Sequence, residues 1–254
     1  MKKFITTLIA ICFATTIQAG ELQIVNPGSE EGIFRQVLSK LGATVDHDFI
    51  QANNPITAYS YFGKNDTLTM WSSEWPGDPK FKSPTITNKN LIGLMTYETL
   101  MCSREFKSIE EMAGKEVKIA TWGSNPVKKY LESLGETHNI NFVVVPYDGS
   151  GSMVKGFIGL DADTIFTVTT REKAILDSGG VNCFAYSVDG DLNFRFVDAI
   201  VAISNDNALI ESLRINLNAL SNTKEWQDTF SGSHTYVGSE YINMFNQAVE
   251  NFSN

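Results

Sequence analysis

The chain is poor in histidine, cysteine and basic residues, and each shortage narrows what it can do. Only three of its 254 residues are histidine, and none of His47, His138 and His234 stands in a recognisable catalytic or metal-binding motif. There is no H-E-x-x-H and no paired-cysteine spacing, so no metal site is predicted. Lysine and arginine number 20 against 29 acids, a net charge of −9. Such a surface repels nucleic acid and anionic lipid and favours solubility. No G-x-x-x-x-G-K-[ST] loop is present, and Gly149-Ser150-Gly151 lacks the third glycine of a dinucleotide fingerprint, so no cofactor is predicted. Beyond the first nineteen residues no apolar run approaches membrane-spanning length.

What is present begins with a leader. Lys2 and Lys3 precede an apolar stretch over residues 4–17, and Ile17-Gln18-Ala19 offers a cleavage site, so residues 1–19 read as a secretory signal. Bulky Ile11 before Cys12 argues against lipid attachment there. Removal of the leader's two lysines takes the net charge from −9 to −11 and leaves 235 residues. That length supports a large core or two modest domains. Cys102 and Cys183 remain, and in an oxidising compartment they either close a disulfide or stay as two buried thiols.

The remainder alternates strand and helix patterns, which predicts an α/β chain. Residues 22–26 form a short strand candidate stopped by Pro27-Gly28-Ser29, and an apolar face from Ile33 to Leu41 ends at Gly42. Glu30 and Glu31 fall in the first turn of that helix, where acids favour the dipole. Residues 117–121 form another strand, followed by Trp122-Gly123-Ser124 and a helix with Pro126 in its first turn. The unit over residues 142–157 is the most informative. Its apolar β-branched start predicts a buried strand, Pro146 is expected to end the ladder, and Gly149-Ser150-Gly151-Ser152 turns into a helix carrying Met153, Val154 and Phe157. Each small-residue turn at a strand's C-terminal end aims N–H groups and a positive dipole at one crevice, where open α/β sheets bind anions. Long strands over 91–101 and 194–203 are expected to cross between two lobes, and Trp71 and Trp75 to pack down the loop they flank.

Several segments resemble a known family. Val145-Pro146-Tyr147-Asp148-Gly149-Ser150, with Gly159-Leu160-Asp161-Ala162-Asp163 after it, is similar to the V-P-Y-x-G-S … G-x-x-D segment of the tripartite tricarboxylate transporter substrate-binding proteins, the Bug-type periplasmic receptors. Pro27-Gly28-Ser29 with Arg35 resembles that family's first turn and helix, and Asn65-Asp66-Thr67-Leu68 its D-G-Y-T-L strand start. The segment from Phe106 to Met112 and Ala120-Thr121-Trp122-Gly123-Ser124 also match in order.

The resemblance implies a two-lobed clamshell of the periplasmic-binding-protein kind, each lobe a mostly parallel sheet flanked by helices. Lobe 1 is expected over 20–101 plus 204–254 and lobe 2 over 102–203. It further implies a monomeric periplasmic receptor that holds a mono-, di- or tricarboxylate, or a zwitterion, and delivers it to integral-membrane transporter subunits. Carried over by position, the ligand-binding residues are Gly28 and Ser29 on one lobe, and Gly123, Ser124, Tyr147, Gly149, Ser150 and Asp163 on the other. Trp122 is expected to wall the cleft with Tyr147. The family's glycine run is cut short after Pro27, and Glu30 and Glu31 stand where small residues are expected; they either point outward or meet an amine on the ligand.

Two other classes compete with this reading. A receptor feeding a sensor system would have the same pocket. A secreted serine hydrolase built on Ser150 is disfavoured, because Tyr147-Asp148-Gly149-Ser150-Gly151 lacks the first glycine of a nucleophile elbow.

Overall fold

The computed structural model describes residues 22–30, 32–76, 78, 80–147, 149–185 and 196–253. The expected leader and Glu31 lie outside them. Strands, in chain order, are β1 (Leu22–Asn26), β2 (His47–Gln51), β3 (Thr67–Ser72), β4 (Leu91–Tyr97), β5 (Thr99–Ser103), β6 (Glu116–Trp122), β7 (Asn141–Tyr147), β8 (Thr164–Val168), β9 (Asn182–Ala185), β10 (Phe196–Ile203) and β11 (Ser233–Val237). Helices are α1 (Ile33–Gly42), α2 (Pro55–Tyr59), α3 (Asn125–His138), α4 (Ser150–Ile158), α5 (Glu172–Leu176), α6 (Asn207–Ser221), α7 (Lys224–Thr229) and α8 (Ile242–Ser253). They build two α/β lobes, as expected, around sheets ordered β11-β4-β10-β3-β1-β2 and β7-β6-β8-β5-β9.

Both sheets are mixed, not mostly parallel as expected, because antiparallel strands join each parallel set. In the first, β1 runs parallel to β2 and β3, while β10 is antiparallel to β3 and β4, and β11 to β4. In the second, β6 is parallel to β7 and β8, and β5 is antiparallel to β8 and β9. The largely apolar β4 and β10 are buried, as is β3 although half of its residues are threonine or serine, so these strands form the middle of the first lobe. Helices cover the sheet through their apolar stripes. α1 buries Val37, Leu38 and Leu41, and α6 buries Leu209, Ile210, Leu213 and Leu217 after Asp206 caps it by accepting from the backbone of Ala208 and Leu209. A Cβ at Gly42, at the end of α1, would force the buried Ile24 side chain to shift.

Several expectations change. The apolar run over 91–101 is two strands, not one: exposed Glu98 separates β4 in the first sheet from β5 in the second. By sheet membership, residues 99–103 therefore belong with the second lobe and 196–203 with the first, whereas the sequence places the boundaries at 101/102 and 203/204. The start of the expected 194–203 strand, residues 194 and 195, lies outside the described residues. β7 is a half-exposed edge strand rather than a buried one, with Val143 40% exposed. Nor does Pro146 end the ladder. Tyr147 turns its carbonyl to the Gly123 N–H, so the position before it faces away from β6, and an edge strand tolerates a missing donor there.

Cys102 and Cys183 are disulfide-bonded at a register pair of β5 and β9, with Cα atoms 4.0 Å apart. The bond closes a loop across a sequence separation of 81, worth about 4 kcal/mol in the chain-entropy model.

Candidate functional site

The parallel strands of both lobes point their C-terminal ends at a common cleft of about 530 Å³. β1 delivers Gly28 and Ser29, β6 delivers Gly123 and Ser124, and β7 delivers Tyr147, Gly149 and Ser150; all of these line the cleft, as does Trp122. Asp163 does not. It precedes β8, and the opposite end of that strand, Val168, is the one that reaches the cleft.

The turns are shaped by their own hydrogen bonds. Asn26 Oδ1 accepts from the Gly28 N–H, and its amide donates to Gln51 Oε1 at 2.8 Å, which holds the first turn against β2. Gly149 caps α4, and its carbonyl accepts from the Met153 N–H. The N–H groups of the first turn of α4 have no intrahelical partner, and the helix dipole adds positive potential there. Arg171 Nη2 donates to Ser150 Oγ at 3.0 Å. This end of the cleft suits an anion. Among the described residues no histidine lines the cleft, and the contact at Ser150 is a guanidinium, not a base.

Tyr147 contributes less than its hydroxyl suggests. Its ring lies against Gly156 of α4, where any Cβ would collide with it, and its O–H donates to Asp161 Oδ2 at 3.1 Å. Burial and that acid raise the phenol's pKa.

The opposite wall is acidic, and the turn motifs give no hint of it. Glu74 is 6% exposed, Asp198 6% and Tyr97 3%, and all three line the cleft. Glu74 Oε2 accepts from Trp122 Nε1 at 2.9 Å and from Ser124 Oγ at 2.6 Å, so an acid of the first lobe is held by two donors of the second. Burial pushes the Glu74 pKa up, partly offset by these bonds. Burial also pushes Asp198 up to about 7, opposed by the Ser72 hydroxyl and reinforced by the Glu74 charge. The Tyr97 hydroxyl is near enough to Asp198 for each to shift the other, yet it sits outside hydrogen-bonding geometry. Asp78 is also buried, but Lys80 Nζ lies 3.4 Å from its Oδ2.

Aromatic rings fill in between. Trp75 contacts Trp71 edge-on at 4.8 Å, and Phe34 and Phe81 flank it at 5.6 and 6.1 Å. Trp71 is fully buried and anchors the loop by donating to Ser83, whereas Trp75 both packs and lines the cleft. Trp122 packs on Phe196 at 4.7 Å. Glu30 is exposed and outside the cleft. The sequence reading passed over these acids, though Asp198 carries a signal as the lone charge in an apolar strand, F-V-D-A-I-V-A-I.

The sequence matches no family model and no curated protein. Its fold is similar to those of solved structures over nearly their whole length. The periplasmic binding protein BugD matches at TM-score 0.68 and 13% identity, over 92% of this chain and 95% of that one. An R. palustris protein with adipate matches at TM-score 0.69 and 13% identity, over 92% and 93% of the two chains. MatC from Rhodopseudomonas palustris with bound malate matches at TM-score 0.65 and 12% identity, over 92% and 97%. The chain therefore has the two-lobed α/β fold of periplasmic binding proteins, with its cleft between the lobes.

Proposed function

We propose that this chain is an exported solute-binding receptor of the tripartite tricarboxylate transporter type, which captures a small carboxylated metabolite between its lobes and passes it to membrane subunits. The observation that carries this reading is the convergence of three small-residue turns, at Gly28, Gly123 and Gly149, on a single cleft. Backbone donors at the α4 N-terminus stabilise a carboxylate without burying a second formal cation. The adipate- and malate-bound structures of similar fold support the same ligand class. In this reading the receptor is a monomer that works in the periplasm, and the lobes close about the link at Glu98.

A thermal-shift panel of mono-, di- and tricarboxylates tests it. A ligand at ~100 times its Kd stabilises the fold by about 2.7 kcal/mol. Ser150→Trp fills the cleft and abolishes that shift while the circular dichroism spectrum stays native. Carboxylate binding unaltered by Ser150→Trp would overturn the site, and no response to any carboxylate would overturn the reading.

A further inference from the structure

The contact between Arg171 and Ser150 has a direction. A guanidinium carries donors and no acceptor, so in the 3.0 Å bond from Arg171 Nη2 the serine oxygen accepts. The hydroxyl keeps its own proton, and none of the described residues accepts it. Ser150 is half-buried and lines the cleft, so that proton is available to whatever occupies the space. A hydroxyl that accepts from a cation is polarised to donate more strongly. Arg171 itself does not line the cleft but is held just behind it. Val168, three residues earlier, reaches the cleft. Between them Thr169 is tied twice: its N–H donates to the Glu98 carbonyl at 2.9 Å and its hydroxyl to the Gly232 carbonyl at 2.6 Å. The Arg171 charge also acts on Tyr97, which lines the cleft from the first lobe. Arginine keeps its proton across the working pH range, so this arrangement does not switch with pH.

We propose that Arg171 is a positioning residue of the binding site: it fixes the Ser150 hydroxyl as a donor toward the cleft, so that a ligand carboxylate is seated there. This rests on the receptor reading above and names the residue that sets the polarity at Ser150. Arg171 acts through the serine oxygen and touches no ligand. Without the guanidinium the hydroxyl can turn and accept instead, and its preference for an anion is lost.

A double-mutant cycle tests the inference, because a purely structural role for Arg171 would cost the same whether or not Ser150 keeps its hydroxyl. Butanoate, succinate, malate, adipate and citrate are titrated into the intact protein by calorimetry, and the tightest is carried into Arg171→Met, Ser150→Ala and the double variant. The expected result is that Arg171→Met weakens binding about fivefold or more in the parent and less than about twofold in the Ser150→Ala background. Arg171→Lys, which keeps a donor and a charge, should bind more tightly than Arg171→Met. Circular dichroism checks the fold of each variant, and Arg171→Gln takes the place of Arg171→Met in the cycle if the latter does not fold. Equal losses in the two backgrounds, or no loss in either, would overturn the role of Arg171 and leave the receptor reading standing. Silence from all five acids in the parent overturns both, since the receptor reading fails with it.

Discussion

Ser124 of one lobe donates its hydroxyl to Glu74 of the other at 2.6 Å, instead of capping the helix it precedes. Serine at that position would ordinarily satisfy a first-turn N–H of α3. Here the helix gives up that bond, and the hydroxyl ties the lobes together beside the ligand space.

Loss of this tie should shift the lobes toward an open arrangement. A hydrogen bond to a charged group contributes about 1.5–3 kcal/mol. Ser124→Ala should therefore lower the closed-to-open ratio of the unliganded protein by roughly tenfold or more, where 1.4 kcal/mol is a factor of ten. Small-angle scattering would read this as a larger radius of gyration with an unchanged circular dichroism spectrum. Identical scattering from Ser124→Ala and the parent would show that the bond does not hold the lobes.

The acidic wall gives stability a definite pH dependence. Asp198 ionises near pH 7 in the folded state and near 3.8 when unfolded, so the folded chain binds the extra proton between those values. The stability this provides is complete below the unfolded value and is lost as pH rises through about 7. Glu74 shifts in the same direction. Facing groups are Glu74, Ser72 and Tyr97, with Arg171 acting on Tyr97. Thermal melts of the unliganded protein should show parent stability falling from pH 5 to pH 8 relative to Asp198→Asn. Parallel curves for the two proteins would contradict the assignment.

Reduction of the Cys102–Cys183 bond should destabilise without unfolding at room temperature. A contribution of about 4 kcal/mol corresponds to a Tm lower by roughly ten degrees in a protein of this size. Calorimetry with and without reductant, or on Cys102→Ser with Cys183→Ser, measures it.

Asp163 and Gly156 give contrasting results. Asp163 lies away from the cleft, so Asp163→Asn should leave ligand affinity within about twofold. Gly156 touches no ligand space, yet Gly156→Val should displace the Tyr147 ring and weaken binding several-fold. Calorimetric titration of the two variants side by side would distinguish contact by position in the chain from contact through packing.

Much of the framework is legible from local pattern. β1 and α1 have the bounds that Pro27 and Gly42 announce, and the turns at Gly123 and Gly149 follow apolar strands and precede helices with one buried face. Where the pattern fails, long-range pairing decides. No glycine or proline interrupts residues 94–103, so nothing local announces that Glu98 is where the chain leaves one sheet for the other. β11, S-H-T-Y-V, carries little apolar character and owes its form to pairing with β4. Asp163 follows the cleft-lining turn closely in sequence, but α4 carries the chain to the far end of the sheet before β8 begins. The acidic wall draws Glu74, Tyr97 and Asp198 from three separate segments that only the folded sheet brings together.

The bond between Cys102 and Cys183 also has a topological result. β5 is where the backbone enters the second lobe, and β9 is the last described strand before it leaves. Linking them turns residues 102–183 into a covalent ring attached to the rest of the molecule at one stapled neck. A single protease cut inside that ring, for example in the exposed segment around Leu160, opens the circle without releasing a fragment, so the nicked molecule migrates as one band until the staple is reduced.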